Sequence, residues 1–199
     1  MAKLTIDDIS DLRAYERERA EFQAHVIDLK KRRRVHVGPV ITFVFENRDT
    51  IRFQIQEMAR VEKMISDDAI AAELRAYNPL IPEPGALSAT MFIELTNETE
   101  LHEWLPRLVH IEAAAQLRIG TGPDAVVVRC TPDPEHDKML TREEITSAVH
   151  YMRWDFAPDQ VEAFAGAESV TLELDHPNYQ FATELDAATR SELLGDLQG

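Results

Sequence analysis

AVHYMRW, residues 148–154, is the stretch from which the fold is predicted, because apolar and polar side chains alternate along it. A period of two is typical of a β-strand that buries one face. That face would hold His150 beside alanine, methionine and tryptophan side chains. Residues 170–176, VTLELDH, repeat the pattern and place His176 among apolar neighbours. The pattern therefore predicts two strands near the C-terminus, each with one inward-facing histidine.

Inward-facing histidines predict a buried polar site. An imidazole that leaves water needs a partner at each ring nitrogen, or a bound ligand. His176 also precedes a proline, which ends the strand, and loops that follow regular elements often carry functional residues. We expect His150 and His176 to mark this site.

The rest of the chain alternates irregularly between helical and strand-like segments. This predicts an α+β fold, with a mixed α/β arrangement as the alternative. We expect one domain over residues 1–199, built on a sheet of about five or six strands flanked by helices. A helical segment should occupy about 5–34, and a last helix about 183–199.

Residues 50–65 are ambiguous between the two periodicities. Residues 51–56 alternate as in a strand, yet apolar side chains also recur along one helical stripe as far as Ile65. The helical pattern persists longer, so we favour a helix from about Thr50, with Asp49 or Thr50 as its cap. Glu62 would then lie in the apolar stripe.

Charge excludes some classes of partner. The 199 residues include 36 acids and 21 lysines and arginines, for a formal net charge of −15. Such a protein repels nucleic acid and anionic lipid. The exception is the basic run, Lys30-Lys31-Arg32-Arg33-Arg34. We favour a solvated helix end for it, because cations stabilise the negative pole of a helix, and the alternative is a docking site for an acidic partner.

Motifs exclude other classes. One cysteine, Cys130, permits neither an internal disulfide nor a cysteine-cluster metal site. The chain has no phosphate-binding loop, no dinucleotide-binding turn and no His-Glu-x-x-His pair. No apolar run approaches the roughly 20 residues that cross a bilayer, and no secretory signal is recognisable, so we expect a cytoplasmic protein.

The first functional hypothesis is a metal site. Two histidines and a carboxylate, with open coordination positions, form the kind of site that non-haem iron or catalytic zinc requires, and manganese accepts the same ligands. Candidate ligands are the two histidines and four carboxylates: His150, His176, Glu57, Glu62, Glu94 and Asp175. The sequence does not decide whether such a protein is an enzyme.

Two alternatives stay open. One is a non-catalytic partner or assembly protein of an electron-transfer system, docked through the basic run, with structural histidines. The other is a metal-free enzyme that uses His150 or His176 as a general base on a small molecule. The oligomeric state is not determined by the pattern.

Several sequence blocks resemble a bacterial family of unknown function whose members are single-domain proteins of about this length. The blocks are KKRRRV (30–35), VGP (37–39), FENRDTIRFQIQEM (45–58), YNPLIP (77–82), TSAVH (146–150) and DHPNY (175–179). Members of that family are often encoded near rubrerythrin-like di-iron proteins and iron–sulfur oxidoreductases. The resemblance thus implies a link to non-haem iron or peroxide defence by association alone, and it assigns no catalytic residue.

Overall fold

A computed structural model describes residues 2–132 and 145–199. Nine strands lie in this part of the chain: β1 (Arg34–Val37), β2 (Ile41–Phe45), β3 (Ala86–Ile93), β4 (Ala115–Ile119), β5 (Val126–Arg129), β6 (Thr131–Pro132), β7 (Val149–Asp155), β8 (Val170–His176) and β9 (Tyr179–Glu184). It also contains six α-helices: α1 (Leu12–Lys31), α2 (Arg48–Glu62), α3 (Asp67–Tyr77), α4 (Glu98–Trp104), α5 (Pro158–Gly166) and α6 (Ala187–Gln198).

The α+β prediction is confirmed, and the strands divide between two antiparallel sheets. Sheet A has the order β1-β2-β3-β7-β6, and sheet B has the order β5-β4-β8-β9. The chain passes from sheet B to sheet A at Cys130, between β5 and β6. Short 3₁₀ turns occur at Ile6–Asp8, Asn78–Leu80 and Ile111–Ala113.

The main core lies between the two sheets. Apolar side chains from alternate positions of β2, β3 and β7 pack with those of β4 and β8. Trp154 of β7 is fully buried and contacts the rings of Phe43 and Phe45. Leu193 and Leu197 of α6 belong to the same core. Burial of this apolar surface is the main force that holds the sheets together.

A second, smaller core covers the outer face of sheet A. Ile51 and Ile55 of α2 and Leu74 of α3 pack there with Leu80 and Ile81. Sheet A is thus covered on both faces, which explains why all five residues of β2 are buried. An unbroken apolar run is the pattern expected of a strand between two layers.

The outer edges of the two sheets meet at β1 and β9. The Tyr179 hydroxyl donates to the carbonyl of Val37 at 2.7 Å and accepts from the amide of Val40 at 3.2 Å. Gly38 allows this approach, because its φ is +72° and a Cβ there would lie 2.5 Å from the Tyr179 hydroxyl oxygen. Only glycine adopts such a backbone without strain and leaves that space open.

Several element boundaries differ from prediction. The helix expected from Thr50 begins at Arg48, and its cap is Asn47, whose side chain accepts from the Thr50 amide. Glu62 is exposed at the end of that helix, so it lies at the margin of the apolar stripe and is not buried within it. The last helix begins at Ala187, because residues before it pair as β9.

The predicted N-terminal helical segment contains α1, but the end of that segment forms β1. In the described residues, none of the helices has both the length and the apolar character needed to cross a membrane.

Candidate functional site

His150 is inward-facing, as predicted, and its ring is held by nearby backbone and hydroxyl groups. Its side chain lies on the core face of β7 with 2% of the residue exposed. Nε2 lies 2.9 Å from both the carbonyl oxygen of Ser147 and the Thr146 hydroxyl. Since a carbonyl only accepts, Nε2 carries a proton and offers no lone pair to a metal.

His176 is also buried, and both of its ring nitrogens contact the backbone. Nε2 donates to the carbonyl of Val109 at 3.0 Å, and Nδ1 accepts from the amide of Asn178 at 3.2 Å. These partners fix the neutral tautomer with the proton on Nε2. The ring therefore ties the end of β8 to the segment before the 3₁₀ turn at Ile111–Ala113.

Glu57, one of the predicted ligands, is an ion-pair partner within the helical layer. Its carboxylate accepts from the guanidinium of Arg19 at 2.8 Å, from Arg60 at 3.0 Å and from the Tyr15 hydroxyl at 2.8 Å. The hydrogen bond from Arg19 is the largest reason that the pKa of Glu57 falls to about 2. This carboxylate joins α1 to α2.

The remaining predicted carboxylates lie apart from the histidines. Glu94 accepts from the Thr42 hydroxyl at 2.9 Å and pairs with Arg34 on the outer face of sheet A. Asp175 is exposed and accepts from Gln180 at 3.2 Å. Among residues 2–132 and 145–199, no three His, Cys, Asp or Glu side chains are grouped so that they could hold a metal ion. The metal hypothesis stays a prediction without an assembled ligand set in this part of the chain.

The basic run does not form a uniform charged surface. Arg33 is 2% exposed and makes a bidentate pair with Asp196 of α6, at 2.6 and 2.9 Å. Arg32 pairs with Glu192 of the same helix at 2.8 Å. Two of the five cations therefore anchor the last helix. Lys30 and Arg34 instead line a cavity.

This cavity, of about 260 Å³, lies between the outer face of sheet A and helices α2 and α3. Its floor includes Val44, Thr90 and Tyr151, which are paired neighbours on β2, β3 and β7. Tyr77, at the end of α3, forms part of its wall. We call this space the sheet cavity.

Glu46 supplies a buried carboxylate to the sheet cavity. Its Oε1 accepts from the Thr90 hydroxyl at 2.6 Å, and its Oε2 accepts from the Thr50 hydroxyl at 2.5 Å. The residue is only 7% exposed. Within the described part of the chain, its hydrogen-bond partners are these two hydroxyls, and no lysine, arginine or histidine nitrogen lies within ion-pair distance. The N-terminus of α2 follows directly, and its partial positive charge favours an anion here.

Tyr151 brings a phenol to the lining of the same cavity. Burial, followed by the proximity of Tyr77 and Glu46, raises the pKa of Tyr151 to about 12. The phenol consequently stays protonated at neutral pH. The sheet cavity therefore combines an anion, a phenol and rim cations around apolar walls.

Local sequence explains the position of Glu46. The mostly apolar strand β2 (Ile41–Phe45) is buried on both faces, and Asn47 caps the next helix through a reciprocal bond with Thr50. Glu46 is the single residue between them, so its side chain is held beneath the start of α2. Sequence reasoning missed it, although a carboxylate directly after an unbroken apolar strand was a usable signal.

A larger cavity, of about 450 Å³, lies on the same face of sheet A, and Leu80 lines both spaces. Its charged side chains already have partners. Lys3 donates to the carbonyls of Asn78 and Ile81, and Arg153 pairs with Asp155 at 2.7 Å. We therefore favour the sheet cavity as the functional site.

Cys130, between β5 and β6, packs against the main core. Its thiol donates to the carbonyl of Glu112 at 3.2 Å, and burial raises its pKa to about 12. A thiol in this state is a poor nucleophile.

Comparison with known proteins places the chain in a family. The family model described as "Protein of unknown function (DUF3501)" matches residues 3–197. The chain belongs to this family. A crystal structure of a novel protein of unknown function from Burkholderia pseudomallei K96243 is 39% identical, and the match covers 98% of this chain and 100% of that one, with a TM-score of 0.89. No functionally curated protein matches the chain. Family membership thus supports the fold and assigns no activity.

Proposed function

We propose that this DUF3501 protein binds a small organic molecule in the sheet cavity, with Glu46 as the principal recognition group. The observation that carries the proposal is the Glu46 carboxylate, buried beside an open space and bonded to two neutral hydroxyls. A ligand with a cationic or strongly donating group would complete its set of partners. The proposal concerns binding, and it includes no chemical step.

The energetics favour a ligand that brings positive charge. Removal of a carboxylate from water costs several kcal/mol in an apolar site, on the order of 5 kcal/mol, unless a cation or enough donors compensate. Hydrogen bonds to a charged group each return about 1.5–3 kcal/mol. Thr50 and Thr90 offset part of the cost, and an ammonium or amidinium group would offset more.

The volume limits the size of the ligand. Pockets for drug-sized molecules span roughly 300–1,000 Å³, and the sheet cavity, at about 260 Å³, is smaller. The apolar floor and the tyrosine wall would contact the carbon skeleton of a small metabolite. Membrane lipids and polymers are poorly matched to this space.

The test is a binding screen in which small amines and amidines are added to the protein and its assigned backbone amide resonances are followed by NMR. We expect some members to shift the amides of residues 44–51 and 88–92, and Glu46→Gln to abolish those shifts. Gln54→Trp is a second variant, because Gln54 is exposed on α2 at the cavity mouth and a large ring there would block entry.

Glu173→Gln is the matched control, since it removes a carboxylate from the outer face of sheet B, where Arg118 pairs with it at 2.7 Å. This control should bind as the wild type does. Ligand shifts that persist in both Glu46→Gln and Gln54→Trp, or a screen that leaves the cavity amides unmoved, would contradict the proposal.

Three sequence-based hypotheses stand beside this proposal: metal binding with a role in peroxide defence, a redox partner docked on the basic run, and a cytoplasmic location. The contacts of the sheet cavity support none of them directly. Arg32 and Arg33 are engaged by α6, which leaves a smaller cationic surface for a partner than the sequence indicated.

A further inference from the structure

Side chains of both charges line the sheet cavity. Glu46 supplies the negative end above Thr90, while Lys30 and Arg34 are the cations that line the space. We infer that the ligand is a small ω-amino carboxylate, with an ammonium group at Glu46 and a carboxylate at Arg34 and Lys30. This inference rests on the proposed binding function and names its ligand class.

Side-chain contacts and strand register set the charged groups apart. The Glu46 carboxylate is held at Thr90, whereas the Arg34 guanidinium faces Glu94, whose carboxylate is held at Thr42. Arg34 pairs with Val44, and Val44 pairs with Thr90, so Arg34 lies two strands from the residue that bonds Glu46. Adjacent strands are about 4.8 Å apart, which puts the two backbone positions roughly 10 Å apart. A ligand that reaches both ends must carry its charges on opposite ends of a short chain. An α-amino acid, whose charges share one carbon, reaches only one.

Arg34 is suited to receive a carboxylate. Its guanidinium already faces the carboxylate of Glu94, but the nitrogen–oxygen distance is 3.5 Å and both side chains are more than 40% exposed. Charge-assisted hydrogen bonds of this type are usually 2.7–2.9 Å long, so we expect this contact to be weak. A ligand carboxylate can replace or share it. Arg33, in contrast, is fixed by its buried pair with Asp196.

Apolar surface joins the two charged ends. Val44 and Phe92 lie on the sheet side of the cavity, and Tyr77 and Leu80 lie on the helix side. Methylene groups between the two charges of the ligand would pack against these side chains and leave water. Burial of each CH₂ generally contributes about 0.8 kcal/mol to the free energy of binding. The skeleton of the ligand should therefore be a plain hydrocarbon chain.

Two positional isomers provide the test. We would measure the affinities of 6-aminohexanoate and 2-aminohexanoate by calorimetry and by NMR shifts of the cavity amides, with hexylamine and hexanoate as single-charge references. The isomers have the same composition and net charge and differ in the carbon that carries the amine, and hence in charge separation. We expect 6-aminohexanoate to bind about tenfold more tightly than each of the other three, the gain typical of one additional partly desolvated ion pair.

Variants assign each end. Glu46→Gln should lower the affinity for 6-aminohexanoate to the level of hexanoate. The double variant Lys30→Gln/Arg34→Gln should lower the affinity for 6-aminohexanoate to the level of hexylamine. Lys31→Gln is the control, since Lys31 is an exposed member of the same run and pairs with Asp28 instead. It should leave all four affinities unchanged.

The outcomes separate this inference from the proposed function. If hexylamine binds as tightly as 6-aminohexanoate and Glu46→Gln abolishes both, the cavity binds amines and the inferred carboxylate end is wrong. Equal affinities of the two isomers would also overturn the inference. If none of the four compounds shifts the cavity amides while other amines do, the ligand class is wrong and the binding function stands.

Discussion

Individual residues show how a side chain acquires its role from partners that are distant in sequence. The alternation in residues 148–154 and 170–176 correctly predicted that His150 and His176 face inward, at 2% and 7% exposure. Their roles depend on other segments. The carbonyl that fixes His176 belongs to Val109, 67 positions away. No local pattern reveals such a partner, which is why the two rings could be placed by sequence but not assigned a function.

Glu57 illustrates the same limit and leads to a prediction on pH. We expect Glu57→Gln to lower the free energy of unfolding at neutral pH by about 1–2 kcal/mol, because Arg19 and Arg60 lose a charged acceptor. The pKa of Glu57 is about 2 in the folded protein against an ordinary value of 4.5. Its contribution is therefore complete above pH 4.5 and is lost as the pH falls towards 2.

Urea unfolding of wild type and Glu57→Gln across this pH range provides the measurement. The two curves should converge in acid. Glu21→Gln, which alters an exposed carboxylate of α1, should show no such convergence. A difference between wild type and Glu57→Gln that is as large near pH 2 as at pH 7 would contradict the assignment of this carboxylate to the arginine pair.

At the scale of elements, strands with apolar alternation were predictable and strands with polar faces were not. β7 and β8 lie within two residues of their predicted bounds. β1 was not predicted, because it begins at the last residue of the basic run. Its arginine and histidine side chains face outward, and only its two valines are buried. β9 is not predicted, and its last two residues fall within the helix expected over about 183–199, since only Tyr179 of its six residues is buried.

A buried ion pair between Arg33 and Asp196 ties the last helix to the segment between α1 and β1, which makes a second prediction. Burial is the largest influence on Asp196 and raises its pKa, although the guanidinium of Arg33 opposes this. Removal of one partner would leave the other charge buried and unpaired. We expect Arg33→Met to cost about 3–5 kcal/mol of unfolding free energy. Hydrogen exchange should show that the amides of α6 lose protection first.

Arg32→Gln is the matched control for this element, since Arg32 pairs with Glu192 on the same helix but is partly exposed. Its effect should be much smaller. The double variant Arg33→Met/Asp196→Leu should recover much of the loss, because apolar side chains of similar volume can replace a buried pair. A double variant as unstable as Arg33→Met alone would show that the cost has another origin.

For the whole molecule, the sequence indicated the α+β class but not the division into two sheets. Strand pairing such as β3 with β7 joins segments about 60 residues apart, and local periodicity carries no information on such pairing. Glu46 was missed for a related reason, since its site exists only where α2 and α3 cover sheet A. The predicted metal ligands are scattered over both sheets and the helical layer.

This scatter makes a third prediction. His150 belongs to sheet A and His176 to sheet B. The two rings have different partners, since His150 contacts Thr146 and Ser147 and His176 contacts Val109 and Asn178. We would purify the wild-type protein and the double variant His150→Gln/His176→Gln without chelator and measure their metal content by elemental analysis. We expect the same number of metal ions per chain in both proteins. The variant should be less stable, with the loss visible in its thermal unfolding. A stoichiometric metal that disappears in the variant would restore the first functional hypothesis.

The contact of Tyr179 with Val37 and Val40 has a consequence for how the molecule meets other copies of itself. A free sheet edge offers unpaired amides and carbonyls on which a second chain can build. Here the phenol and the space left by Gly38 turn two such edges towards each other. We therefore expect this side of the molecule to resist pairing with a second chain, and the Tyr179 ring and the absent side chain of Gly38 contribute to that protection.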